Sequence, residues 1–155
     1  AVTGVQTCAL PISVAAIAFW FHAHYGFGLN ASPSLPHRLF LIHKGEMPSR
    51  GDFVAFRWAG GGPYPAGVTF IKVLAGMPGD EVTRDAQGFH LNGVPVGVPK
   101  PVSRRGQPLE PGPTGRIPEG RYYVQAGHPD SLDSRYQLTG WIHASQIIGR
   151  ADALF

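Results

Sequence analysis

A lysine inside an apolar run is the first residue of this sequence that could do covalent chemistry. Lys72 lies in VTFIKVLAG, residues 68–76. Burial disfavours the charged ammonium and lowers the lysine pKa, so a buried amine can accept a proton as a general base near neutral pH. A lysine that points outward from a half-buried strand would give the same run. The run alone leaves both interpretations open.

Two alternate serines are the second candidate. Ser32 and Ser34 lie in NASPSLPHRLF, residues 30–40. Alternate residues of an extended chain face the same way, so one hydroxyl could attack a carbonyl carbon while the other donates a hydrogen bond to the oxyanion. A neutral lysine amine could take the proton of the attacking hydroxyl. Pro33 and Pro36 stiffen such a loop, but they are equally typical of a linker.

A third polar group, SLDSR, comes late in the chain at residues 131–135. Asp133 and Arg135 could form an ion pair, and a serine hydroxyl of this segment could accept a hydrogen bond from a lysine amine, or donate one to it, and so orient it. A solvated polar turn is the other interpretation of these residues. His128 lies nearby, and we interpret it as a loop histidine rather than the base of a triad.

Composition favours a turn-rich β fold. The 155 residues include 21 Gly and 15 Pro, and 43% are hydrophobic, which disfavours long helices and disorder. The net charge of +3 comes without a basic stripe, so we expect no nucleic-acid partner. An insertion over residues 84–119 is predicted to hold an Asn92-Gly93 hairpin, with Pro95 on an edge strand, and a Pro/Gly-rich cap segment, residues 98–120. The predicted strands are residues 37–45, 51–58, 68–76, 77–83, 121–127 and part of 141–155.

The N-terminus is read as two segments that precede the folded domain at residues 27–155. Residues 1–12, which include Cys8, match the translation of a common sequencing-library adapter, and we expect them to be an assembly artefact. Residues 13–26 are apolar and aromatic and are predicted to be the remnant of a truncated membrane anchor; a buried first strand or helix is the alternative. Its His22 and His24 have no third ligand at suitable spacing, so no metal is assigned.

The motifs taken in order resemble those of the serine–lysine signal peptidases. SLP, FIKVLAGMPGDEV, LNGVPV, SLDSRY and IIGRADALF follow one another over residues 30–155. The TraF-type conjugal-transfer signal peptidases are the most similar branch. Only Leu35 separates Ser34 from Pro36, and NxSxSLPxxLF, with an aromatic at Phe40, looks like their motif.

The resemblance implies a role for each motif residue. Ser34 would be the nucleophile and Lys72 the general base, while the Ser32 hydroxyl and the Ser34 backbone N–H would form the oxyanion hole. Ser131, Asp133 and Arg135 would support the site. The short loop before SLDSR leaves open whether Asp130 or Asp133 is the important acid. The implied fold is the all-β fold shared by signal peptidases and LexA-like repressors.

The resemblance also implies a substrate and a location. The expected activity is that of a membrane-anchored endopeptidase on the periplasmic face of a bacterial inner membrane, with no cofactor. Its partner would be a pro-pilin or another secreted precursor, cut after a small residue and in some TraF-type enzymes cyclised. The alternatives are a general type I signal peptidase, a self-cleaving repressor domain and an inactive β-module of a secretion apparatus.

Overall fold

The computed structural model describes the backbone of residues 6–30, 32 and 34–155, with side chains from residue 11 onward. One helix is followed by eleven strands. Their bounds are α1 Gln6–His24, β1 Tyr25–Leu29, β2 Leu39–Lys44, β3 Phe53–Arg57, β4 Thr69–Gly76, β5 Glu81–Asp85, β6 Gly88–Leu91, β7 Val94–Gly97, β8 Gly115–Arg116, β9 Arg121–Gln125, β10 Ile142–His143 and β11 Ile147–Ala153, with a 3₁₀ turn at Ala144–Gln146. The predicted all-β fold is confirmed.

Seven of the strands form one antiparallel sheet in the order β1-β2-β11-β3-β4-β9-β10. The last strand of the chain, β11, therefore lies between β2 and β3, two strands from the first half of the sequence. Strand β4 lies between β3 and β9, where Lys72 is opposite Val54. This position covers both edges of β4 with neighbouring backbone.

The other four strands form a second sheet in the order β7-β6-β5-β8. The predicted hairpin joins β6 to β7, and Asn92 and Gly93 adopt φ of 50° and 80°, as a turn with two left-handed residues requires. Pro95 lies on β7, which is an edge strand as predicted. The insertion predicted at 84–119 overlaps this sheet, but the sheet begins earlier, at Glu81, and gains β8 from the cap segment.

The described core consists of three hydrophobic clusters, one of which joins the two sheets. Two of them lie within the seven-stranded sheet, and the third is shared between the second sheet and β9. Fully buried side chains come from both halves of the sequence: Phe40, Val54, Phe56 and Leu74, then Val82, Phe89, Ile117, Tyr123 and Val124. The core therefore lies directly beneath the strand that carries Lys72.

Strand β1 covers residues for which the sequence predicts no strand, since the first predicted strand is residues 37–45. It pairs along its length with β2 at the edge of the sheet, although Phe27 and Leu29 are exposed. Its sequence, YGFGL, alternates large apolar residues with glycines, but the exposed positions are those of Phe27 and Leu29, the reverse of a half-buried strand. Gly28 is buried, and a Cβ there would come within 2.6 Å of the Ile71 side chain, so close packing selects glycine at a position where sequence suggests a turn.

Helix α1 is largely exposed over the residues whose side chains are described. Ile17, Phe19 and Trp20 keep more than half of their surface accessible. None of the helices in the described part of the chain is both long and apolar enough to cross a membrane. At its C-terminal end, His22 offers its carbonyl oxygen to the amine of Lys44 on β2, so the helix end is tied to the sheet.

Candidate active site

A cavity of about 1170 Å³ collects the residues that the sequence motifs single out. Its walls come from the end of β1, the loop between β1 and β2 that carries Ser32 and Ser34 (the serine loop), β4, the SLDSR segment and the cap segment. Ser32, Ser34, Lys72 and Ser131 all line it. In the described residues, no group of three His, Cys, Asp or Glu side chains is placed to hold a metal ion.

Lys72 is buried, with 5% of its surface accessible. Its amine donates a hydrogen bond of 2.6 Å to the Ser131 hydroxyl and lies 5.8 Å from the centre of the Phe70 ring. Burial lowers the pKa of Lys72 to about 8, although Asp133 favours the charged form. About one amine in ten is then neutral at pH 7, which makes this lysine usable as a proton acceptor.

The serine loop is organised around the side chain of Asn30. Ser34 is buried, and its hydroxyl lies 2.8 Å from that of the more exposed Ser32. The Asn30 amide oxygen accepts from the Ser32 hydroxyl at 3.0 Å and from the Ser32 backbone N–H at 3.3 Å. The two serines therefore face the same way, as alternate residues in an extended segment should.

Ser34 and Lys72 line one cavity, but no direct hydrogen bond joins them in the described part of the chain. The Ser34 hydroxyl is engaged with Ser32, and the Lys72 amine with Ser131. Both groups line the cavity, and each is held by a second serine. Transfer of a proton between them therefore requires the Ser34 hydroxyl to leave its present partner.

Asp133 and Arg135 form a buried ion pair. Two guanidinium nitrogens of Arg135 each donate to a carboxylate oxygen of Asp133 at 2.8 Å, and neither residue exposes more than 4% of its side chain. Asp133 also accepts from the backbone N–H of Ala126, and Arg135 donates to the carbonyl oxygen of His128. The pair therefore fixes the loop between β9 and Ser131, and with it the partner of Lys72.

Asp130 has a different environment from Asp133. Its carboxylate pairs with Lys100 and Arg104 of the cap segment, and the hydrogen bond from Lys100, followed by that from Arg104, holds the Asp130 pKa below its usual range. Asp130 and Asp133, between which the sequence does not decide, therefore lie in different environments. Asp133 lies in the buried scaffold, and Asp130 ties the cap segment to the loop before Ser131, with the Asp130, Lys100 and Arg104 side chains all in the cavity lining.

Two contributors to this site were not identified from sequence. Asn30 stands in the quoted motif, yet its spacing to both serines suggested no role for its side chain. Phe70 was read only as part of an apolar run. Its ring stacks on Trp58 at 4.7 Å and meets Tyr64 edge-on at 5.2 Å, forming an aromatic wall beside Lys72. The aromatic residues on both sides of the glycine-rich loop at 59–62 were the available clue.

Comparison with known proteins gives consistent matches. The family model described as "Signal peptidase, peptidase S26" matches residues 2–155. Signal peptidase I of Bacillus licheniformis is 30% identical over 152 residues, which cover 89% of this chain and 78% of that protein. A crystal structure of a signal peptidase I from Enterococcus faecalis V583 is 26% identical, covers 68% of this chain and 97% of the solved chain, and superposes with a TM-score of 0.45.

Proposed function

This chain belongs to the signal peptidase family, peptidase S26, and from that premise we propose that it cleaves precursor peptides with Ser34 as nucleophile and Lys72 as general base. Family membership makes it a serine peptidase that acts on leader peptides. The assignment of the two residues rests on one observation. A buried lysine whose pKa is lowered to about 8 shares a cavity with a buried serine hydroxyl.

The proposed reaction uses Lys72 twice. Its neutral amine takes the proton of Ser34 while the Ser34 oxygen attacks the scissile carbonyl carbon. The oxyanion accepts hydrogen bonds from the Ser32 hydroxyl and the Ser34 backbone N–H. When the carbon–nitrogen bond breaks, the Lys72 ammonium returns its proton to the departing amine. Water then attacks the ester with Lys72 again as base, and Ser34 is regenerated. An amine in place of that water would instead give an amide, as in cyclisation.

The proposed substrate is a pilin precursor of a conjugative transfer system, cut after a small residue. The NxSxSLPxxLF motif of the serine loop supports this branch over the general signal peptidases. A second candidate, general type I signal peptidase activity, is supported by the similarity to the Bacillus licheniformis protein. Both place the enzyme at the inner membrane with its site on the periplasmic side, and the exposed apolar residues of α1 suit such a location.

Substrate choice separates these two candidates. We expect the purified chain to cleave a pilin precursor at least about tenfold faster, in kcat/KM, than an exported-protein precursor, a difference of about 1.4 kcal/mol. Both substrates should carry alanine before the cut and be presented in the same detergent micelles, with products identified by mass spectrometry. Ser34→Ala is the blank for contaminating peptidases. Equal rates would favour the general signal peptidase.

The pH dependence tests the role of the lysine. Only the neutral amine of Lys72 can accept a proton, so kcat/KM should rise about tenfold per pH unit below the Lys72 pKa and level off above about 8. The control is His128→Gln, because His128 also lines the cavity. The midpoint should be the same in this variant. If the rise disappears in His128→Gln, the base is the histidine and our assignment is wrong.

A further inference from the structure

We propose that Asn30 is a positioning residue that holds the hydroxyl of Ser32 until a substrate carbonyl replaces it. This inference rests on the proposed function, because it concerns the oxyanion-stabilising serine of that site. It assigns a role to a residue that lies outside the predicted catalytic set. It also accounts for the absence of a Ser34–Lys72 hydrogen bond in the described site.

Both ends of the Asn30 amide are engaged within the loop. The oxygen accepts from the backbone and the hydroxyl of Ser32, and the nitrogen donates to the carbonyl oxygens of Leu35 at 3.4 Å and His37 at 3.2 Å. An amide has one acceptor end and one donor end, so turning it over would place like groups against each other at both ends. The amide oxygen is therefore fixed on the side of the serines.

The direction of the hydroxyl protons follows from these contacts. Ser32 has one hydroxyl proton, and it is given to Asn30 at 3.0 Å. In the 2.8 Å contact between the two serines, Ser34 must then be the donor. The longer Ser34–Asn30 distance, 3.5 Å, is at the limit for a hydrogen bond. The Ser34 proton thus belongs to a chain of hydrogen bonds from Ser34 to Ser32 to Asn30, and it is not given to Lys72.

Substrate binding would break this chain of hydrogen bonds at Asn30. A carbonyl oxygen in the oxyanion position needs the proton of Ser32, so it must displace the Asn30 oxygen as the acceptor. A neutral amide is a suitable occupant, because hydrogen bonds to a carboxylate are roughly twice as strong. Aspartate at position 30 would retain the Ser32 proton more firmly and would oppose the developing oxyanion. It would also favour the protonated form of a lysine in the same cavity.

The experiment compares Asn30→Asp and Asn30→Ala with the wild-type chain on one precursor peptide. In Asn30→Asp we expect kcat to fall about 100-fold, as when an oxyanion donor is lost, with KM within about threefold. The midpoint of the pH profile should also move upward from about 8. In Asn30→Ala kcat should fall without the shift in midpoint, because no charge is added.

The matched control is Asn92→Gly in the β6–β7 turn. Asn92 also accepts a backbone N–H, from Glu81, and donates from its amide, to Asp80, but it does not line the cavity. Glycine suits its positive φ. We expect this variant to lose thermal stability and keep its kcat. A general structural defect would lower kcat and the melting temperature together. If the fall in melting temperature of Asn30→Asp fully accounts for its fall in kcat, the proposal is wrong.

A crystal structure of a variant tests the inference without a measurement of activity. In a crystal structure of Asn30→Ala, we expect the two serine hydroxyls to separate from their 2.8 Å contact. An unchanged contact there would overturn the role of Asn30, as would wild-type kcat and pH midpoint in Asn30→Asp. Failure of the proposed function looks different: Ser34→Ala would then cleave as fast as the wild-type chain.

Discussion

Lys72→Arg is expected to lower kcat/KM by at least about 10⁴-fold, the scale seen when a residue of a catalytic Ser–base unit is removed. Arginine keeps the positive charge and approximate length of lysine, but it does not lose its proton in proteins. It therefore cannot accept the Ser34 proton at any accessible pH. The measurement is cleavage of a precursor peptide followed by mass spectrometry, with enzyme in excess so that slow turnover is still detected.

Two further variants show whether the loss is chemical. Lys44→Arg makes the same substitution on β2, where the amine donates to the His22 carbonyl oxygen at the end of α1 and does not line the cavity, and it should retain wild-type activity. Lys72→Met removes the positive charge, whereas Lys72→Arg keeps it. It should be equally inactive, yet no less stable than wild type by denaturant titration, because desolvation of the charged amine costs about 3 kcal/mol when its pKa falls from 10.5 to about 8. A fall in kcat/KM much smaller than about 10⁴-fold in either Lys72 variant would contradict the mechanism.

Asp133→Asn is expected to destabilise the fold by about 3–5 kcal/mol, the usual penalty for leaving a buried charge without its partner. Asparagine has nearly the shape of aspartate, so the loss would come from charge and not from a cavity. The Arg135 guanidinium would remain buried beside a neutral amide. Urea unfolding followed by fluorescence measures the change in the free energy of unfolding.

The control for this ion pair is an exposed one. Glu46 pairs with Arg150 at 2.8 Å, and the Glu46 side chain is half exposed. Glu46→Gln should therefore cost less than about 1 kcal/mol. Replacing both buried partners, as Asp133→Leu with Arg135→Met, should recover stability relative to Asp133→Asn, since no unpaired charge is left. Similar losses in the free energy of unfolding for Glu46→Gln and Asp133→Asn would show that the buried Asp133 pair contributes no more to stability than an exposed pair.

The features that could be predicted from the sequence are those that depend on residues close together in the chain. The Asn92-Gly93 turn is recognisable because two adjacent residues tolerate positive φ, and β4 because eight consecutive residues form its apolar run. The choice between Asp130 and Asp133 depends on which of them meets Arg135 in the core and which meets the cap segment. Those contacts span the tertiary structure, and residues 130 and 133 look alike in a polar loop.

The same limit explains why β1 and Asn30 went unrecognised. Strand β1 exists because β2 offers it an edge, and its glycines fit beneath side chains that are distant in sequence. The Asn30 side chain crosses the loop to His37, and sequence spacing does not reveal a hydrogen bond across a turn. The proposed pairing of Ser34 with Lys72 rests on family resemblance in the sequence, since residues 34 and 72 share no local pattern.

The place of β11 between β2 and β3 has a consequence for how the protein is made. A ribosome releases the N-terminal strands first, but β2 and β3 have no partner between them until residues 147–153 have emerged. The seven-stranded sheet that carries Lys72 therefore cannot be completed until β11 has been synthesised. Its assembly is thus a late step, which follows the synthesis of all the other described strands.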